Sequence, residues 1–331
     1  MNSGQFWLKS VLMGAVVAGL PLLLVGCGSS NTISDATWPE HPGPKVVVSF
    51  APLYCFATNV AGEDAVVKNV MTSKGPHDFD PTEADVKLVT KADLFFVVGL
   101  GLDEQKADKM KKGSGNSKLK VIELGEKLSK DCLEEGRCNH DEHHEGEHDH
   151  GIDPHVWLGP DHAIMLVNII RGELKAADPA HAAGYESRAA AYVTKLNALK
   201  TYGLDKLKDK EDRRLVTFHD SLAYFAKGYK IRVKEVLTKT PGQEPDAKEM
   251  KKLIDVCTKK DAPVRLIATE PQYSTSTAGE ALRKELVAKG VKDAELVEFD
   301  TLETVRPEDL KPDWYERKMR ENLDKLAEKM K

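Results

Sequence analysis

Short apolar runs rich in β-branched and aromatic residues alternate along the chain with stretches whose apolar positions recur every three or four residues. In the first half, Val46-Val47-Val48-Ser49-Phe50, Val66 to Met71, Leu94-Phe95-Phe96-Val97-Val98 and Leu119 to Leu124 read as strands, with helical patterns between them such as Thr82 to Lys91. The second half repeats the signal. Leu215-Val216-Thr217-Phe218, Val233 to Leu237, Leu266-Ile267-Ala268-Thr269 and Glu295 to Phe299 read as strands, and Asp246 to Lys259 and Thr277 to Lys289 as helices. Strands that alternate with helices predict parallel sheets covered on both faces. Asp313 to Lys331 predicts a final amphipathic helix.

Between the two blocks the period changes. Tyr185, Ala189, Tyr192, Leu196 and Leu199 recur at helical spacing, Asp178 suits an N-cap and Pro179 suits the first helical position. The pattern predicts one long helix over 179–210, joining a first lobe at 45–178 to a second at 211–331. The expected fold class is α/β: two lobes, each a mostly parallel sheet flanked by helices, bridged by that helix.

Two stretches fit neither lobe. At the start, Lys9 precedes an apolar run from Val11 to Val25, shorter than the roughly 20 residues a membrane span needs. Leu24-Val25-Gly26-Cys27 then looks like a bacterial lipobox. Residues 1–27 are therefore expected to be a signal peptide ending in a lipidated Cys27, with an ordinary secretory signal as the other reading. Residues 28–44, rich in Ser, Asn, Pro and Gly, are expected to form a flexible tether. In an exported, oxidising setting Cys132 and Cys138 would close a small loop, whereas the sequence offers no argument for pairing Cys55 with Cys257. The second stretch is 139–151. It holds no apolar residue, so it cannot pack and should be a mobile loop.

At 331 residues the chain is long enough for two cores, and its net charge of -5 comes from well-mixed acids and bases. No basic face is implied, which excludes nucleic acid as a partner.

The chemistry lies in the histidines. Five of the eleven, His140, His143, His144, His148 and His150, sit among carboxylates in the 139–151 loop. Imidazoles on a mobile loop offer several weak, exchangeable metal sites, and a solvated polar linker is the plainer reading. A tight site needs ligands on rigid elements. His77 lies beyond the second strand, His155 lies before a helix, and His219 and Asp300 directly follow strands. Open α/β sheets bind ligands outside the carboxyl ends of their strands, where His77, His219 and Asp300 fall, so convergence of these three in a cleft between the lobes is natural. Each alone also fits a structural role, and Asp300 could equally cap the turn after its strand. Asp78 and Asp220 stand where they could orient a neighbouring imidazole.

The segments Ser49-Phe50-Ala51-Pro52-Leu53-Tyr54, Gly75-Pro76-His77-Asp78-Phe79-Asp80-Pro81, Asp153-Pro154-His155-Val156-Trp157-Leu158-Gly159-Pro160, Phe218-His219-Asp220-Ser221-Leu222-Ala223-Tyr224-Phe225 and Glu270-Pro271-Gln272-Tyr273 follow one another in order. In these the chain, from about Lys45 to its end, resembles the metal-binding lipoproteins and periplasmic proteins of zinc and manganese ABC importers. The resemblance implies two α/β lobes bridged by a long helix, with the metal in the cleft between them and His77, His155, His219 and Asp300 as its ligands. Zinc-type members often carry an acidic, His-rich loop before the second ligand. Manganese-type members tend to have a glutamate where this chain has His219. The chain departs from some zinc members at Pro76, where they have an acid. Three imidazoles and a carboxylate also suit zinc better than manganese on chemical grounds.

The expectation is a monomeric, extracytoplasmic, lipid-anchored protein that binds Zn2+ and hands it to the membrane permease of an ABC importer. The alternatives are a binder of manganese or another divalent metal, and a surface adhesin or zinc store. A zinc hydrolase would keep an open fourth position, with Asp300 not a ligand. The chain has no H-E-x-x-H motif and no clear general base beside the site, so no enzyme activity is expected.

Overall fold

Each apolar run becomes a strand, usually a residue or two shorter than the run itself. The computed structural model describes Met1 and residues 37–136, 151–238, 242, 245–273 and 276–331. The expected signal peptide with Cys27, most of the tether, Cys138 and the loop histidines lie outside the described residues.

The first sheet comprises β1 (Lys45–Val48), β2 (Val66–Asn69), β3 (Leu94–Val97) and β4 (Lys120–Glu123) in the order β2-β1-β3-β4, with every pair parallel. Helices α1 (Ala51–Ala61), α2 (Glu83–Val89) and α3 (Glu104–Ser114) connect its strands. Then come α4 (Pro160–Ala177) and the long α5 (Ala182–Leu207). The second sheet comprises β5 (Arg214–His219), β6 (Arg232–Thr238), β7 (Leu266–Thr269) and β8 (Glu295–Glu298), again all parallel, in the order β6-β5-β7-β8. Its connecting helices are α6 (Ala223–Tyr229), α7 (Ala247–Cys257) and α8 (Ser276–Ala288), and α9 (Trp314–Lys329) ends the fold. Every residue of β3 and of β7 is buried, as parallel strands covered on both faces require.

The packing follows from these layers. Val47, Phe95 and Val97 pack with Leu88, Val89 and Met110 on one side of the first sheet. Val216, Phe218 and Ile267 do the same with Leu253, Leu282 and Leu286 on the second. The opposite faces share one large core with α1, α4, α5 and α9. The buried stripe of α5 is Tyr185, Ala189, Tyr192, Leu196, Leu199, Gly203 and Leu207, the periodicity read in the sequence extended by one turn and more. Gly203 is required there, because a Cβ would stand 2.3 Å from the Tyr229 ring.

The start of α5 differs from expectation. Asp178 does not cap the helix. Its carboxylate accepts the Tyr185 hydroxyl (2.8 Å) and contacts the His181 ring (2.7 Å), Pro179–His181 form a 3-10 turn, and the α-helix begins at Ala182. After the second sheet, Asn59 of α1 donates to the Pro312 carbonyl (2.7 Å), Tyr192 donates to Glu316 (2.8 Å), and the Tyr315 and Phe56 rings meet edge-on at 4.7 Å. The final helix therefore rests on α1 and α5 and packs across both halves of the fold.

Cys55, Cys132 and Cys257 carry free thiols, and Cys132 donates to the Ser129 carbonyl (2.9 Å). Its expected partner Cys138 lies outside the described residues. Burial pushes the Cys55 and Cys257 thiols up, Cys257 to about 12. Among the described residues no helix is long and apolar enough to cross a membrane.

Asp246 begins α7 with a reciprocal capping box. It accepts the Glu249 N–H (2.7 Å), while Glu249 accepts the Asp246 N–H (2.8 Å). Asp246→Ala is expected to cost about 1 kcal/mol, read in a urea titration as a lower midpoint with an unchanged slope.

Candidate metal centre

His77, His155, His219 and Glu303 point one atom each at a common centre, all four atoms lying within 4.8 Å of one another. His77 sits in a tight turn beyond β2, where Asp78 N–H donates to the Gly75 carbonyl (3.2 Å). His155 precedes the 3-10 turn Val156–Leu158 that leads into α4. His219 is the last residue of β5, still paired with β6, rather than the residue after the strand. Glu303 follows β8 by five residues.

His155 is the hub. Its Nε2 lies 3.3 Å from His77 Nε2 and 3.1 Å from His219 Nε2. Zinc held by imidazole nitrogens at roughly 2.0–2.1 Å in a tetrahedron would set its ligand atoms about 3.3–3.4 Å apart, so these separations fit such an ion. The Nδ1 atoms are occupied elsewhere. His155 Nδ1 meets Asp153 Oδ1 at 2.7 Å, and His219 Nδ1 meets Glu270 Oε2 at 2.7 Å. In the neutral, metal-binding form of each ring, a proton held on Nδ1 by a carboxylate leaves the Nε2 lone pair free and fixes the ring. Asp153 and Glu270 thus play the orienting part considered for Asp78 and Asp220. Glu270 follows β7, next to β5, where the strand order of the sheet reverses. That reversal is the crevice where open α/β sheets take ligands.

Glu303 supplies the carboxylate. It is fully buried, and its Oε1 has no hydrogen-bond partner although it faces His155 Nε2 at 3.6 Å and His219 Nε2 at 3.8 Å. A buried, unpaired carboxylate oxygen is costly unless a cation completes it. Burial alone would raise Glu303, but the three neighbouring imidazoles, His155 foremost, outweigh it and hold the acid at about 2. Burial also opposes charge on His155, where Asp153 and Glu303 prevail and lift the ring to about 10. On His77 burial wins over the attraction of Glu303 and lowers the ring to about 4. His77 is also the most open of the four, with 23% of its side chain exposed, so it marks the mouth of the site.

The structure brings together His77, His155 and His219 but not Asp300. The Asp300 backbone is bracketed by Asn322 of α9, which accepts its N–H (3.0 Å) and donates to its carbonyl (2.7 Å). The Asp300 carboxylate accepts the Leu302 N–H (2.9 Å) and lies 3.8 Å from Lys318 Nζ. Leu302, buried with φ 63°, then reverses the chain, and Glu303 takes the fourth place. The sequence gives one hint, a second acid three residues after the first. The left-handed Leu302 that selects between them has no signature in a non-glycine residue.

A family model described as ZnuA, zinc-uptake complex component A periplasmic, matches residues 46–329. The chain belongs to this family. Members are metal-binding proteins of transport systems, and the two parallel-sheet lobes with a long helix are the family fold. Zinc-binding protein AdcA of Streptococcus pyogenes is 32% identical over 294 residues, which cover 85% of this chain and 55% of that protein. The chain thus spans about half the length of the AdcA proteins it matches. Manganese-binding lipoprotein MntA of Halalkalibacterium halodurans is 27% identical over 273 residues, covering 82% of this chain and 85% of that protein. The structure of a Zn(II)-bound AdcAII variant from Streptococcus pneumoniae superposes with a TM-score of 0.71 at 27% identity, covering 87% of this chain and 99% of that one.

Proposed function

We propose that this protein captures one zinc ion outside the cytoplasm with His77, His155, His219 and Glu303 and delivers it, as a lipid-anchored monomer, to the membrane permease of an ABC importer. The unpaired Glu303 Oε1 among three inward-facing imidazoles carries the reading. Three nitrogens and one oxygen suit zinc, whereas manganese favours more oxygen donors. Four protein ligands also close the shell, which belongs to a binding site rather than to a hydrolase with a metal-bound water.

The His-rich loop serves this site as a collector. Its flanks are pinned together by the Glu135–Ile152 bridge and by Gly136 N–H donating to the Gly151 carbonyl (2.8 Å). Tyr224 then accepts the Glu134 N–H and donates to the Asp153 carbonyl (2.7 Å), so the base of the loop leads straight to His155.

Calorimetry with metal analysis on the chain from Ser29 onward tests the site. One tight zinc per chain is expected, with manganese a poor competitor. Removing residues 139–151 should abolish weaker binding and leave the tight ion in place. Loss of the tight ion with the loop would put the site in the loop and defeat the assignment. Delivery is tested in the living cell: deletion should restrict growth in zinc-poor medium, and added zinc should restore it. Growth indifferent to zinc would favour a surface-adhesion or storage role.

A further inference from the structure

Tyr273 closes the 3-10 turn Pro271–Tyr273 that follows β7. Its hydroxyl donates to Glu303 Oε2, and its ring stands edge-on to His219, centroids 5.7 Å apart at 83°. The two oxygens of Glu303 are therefore unlike. Oε1 is unpaired and faces His155 and His219, whereas Oε2 takes the phenol proton and lies 3.8 Å from His77 Nε2. The fit around this pair is close, for a Cβ at Gly75 would come within 3.2 Å of the Glu303 Cβ and 3.5 Å of the Tyr273 hydroxyl.

Building on the zinc reading above, we propose that Tyr273 sets metal selectivity by holding Glu303 to a single metal-binding oxygen. Tyr273 is a positioning residue: it touches Glu303, not the ion. A carboxylate with both oxygens free can chelate, and ions that prefer oxygen and take more than four ligands gain most from that. With Oε2 engaged by the phenol, the protein offers three nitrogens and one oxygen, the number zinc accepts in a closed tetrahedral site. Removing the phenol oxygen frees Oε2 to swing toward the ion and gives manganese the additional donor it favours.

The test is Tyr273→Phe in the whole mature chain, with zinc and manganese affinities measured by chelator competition. Loss of an outer hydrogen-bond partner typically weakens metal binding about 10–100-fold, and that is the expected fall for zinc. Manganese should lose less or gain, so the zinc-to-manganese ratio should drop about tenfold or more. X-ray absorption of the manganese-loaded variant should show one more oxygen ligand than the parent. In a Glu303→Gln background the same substitution should change neither affinity further, because its effect runs through the carboxylate. Glu303→Asp, which draws the carboxylate away from an intact Tyr273, should lower the ratio in the same direction and serves as a second measure should Tyr273→Phe fold poorly. Equal losses for both metals, or an undiminished effect without Glu303, would overturn the inference. A parent chain with no tight zinc would instead defeat the function on which it rests.

Discussion

Glu303→Gln lowers zinc affinity more than about 100-fold, beyond the 10–100-fold usual for an outer partner, while Asp300→Asn leaves it unchanged. Glutamine keeps the volume of the side chain, so the surrounding core is not disturbed. It removes the negative charge from a site whose other three donors are neutral imidazoles. A divalent ion buried among neutral donors has lost the partner that offsets its desolvation. Asp300 is also largely buried, and burial raises it, but its carboxylate serves the Leu302 N–H and faces Lys318. Chelator competition on the two variants checks both halves. Weak binding in Asp300→Asn together with tight binding in Glu303→Gln would return Asp300 to the metal.

Zinc affinity falls about 100-fold from pH 7 to pH 5, a change of about 2.7 kcal/mol. The sign follows from the empty site. His155 is held up at about 10, so it is protonated at neutral pH and must give up a proton before its Nε2 can bind metal. His77, down at about 4, and Glu303, down at about 2, already stand in their metal-binding forms above pH 5. At His155 a proton therefore competes with the ion, and that competition alone makes affinity rise about tenfold per pH unit toward pH 10. Calorimetry in two buffers of different ionisation heat should count at least one proton released per zinc, the one from His155. A flat profile, with no proton released, would mean that His155 does not bind through Nε2.

Much of this was legible in the chain itself. Parallel strands buried on both faces must be apolar throughout, so runs such as Leu94 to Val97 announce themselves, and the stripe from Tyr185 to Leu199 announces α5. His77, His155 and His219 could be singled out because strand ends and helix starts are where such sheets gather ligands. Glu303 could not. Its place depends on a left-handed Leu302 and on Asn322, nineteen residues further along, fixing the turn before it, and neither is a local pattern. The start of α5 was misread for a related reason. Asp178 has the chemistry of a cap, but Tyr185 and His181 claim its carboxylate first.

The four donors are spread from His77 to Glu303, and the turn that places the last of them is held by Asn322 of α9. Contacts this distant in sequence close late. A chain that folds from its N-terminal side can present His77, His155 and His219 early, but only as separate, loosely held imidazoles. The complete cage exists once β8 has joined its sheet and α9 has docked on α1 and α5. An ion held by all four donors would therefore report a finished fold, its tight binding appearing only after the last helix has docked.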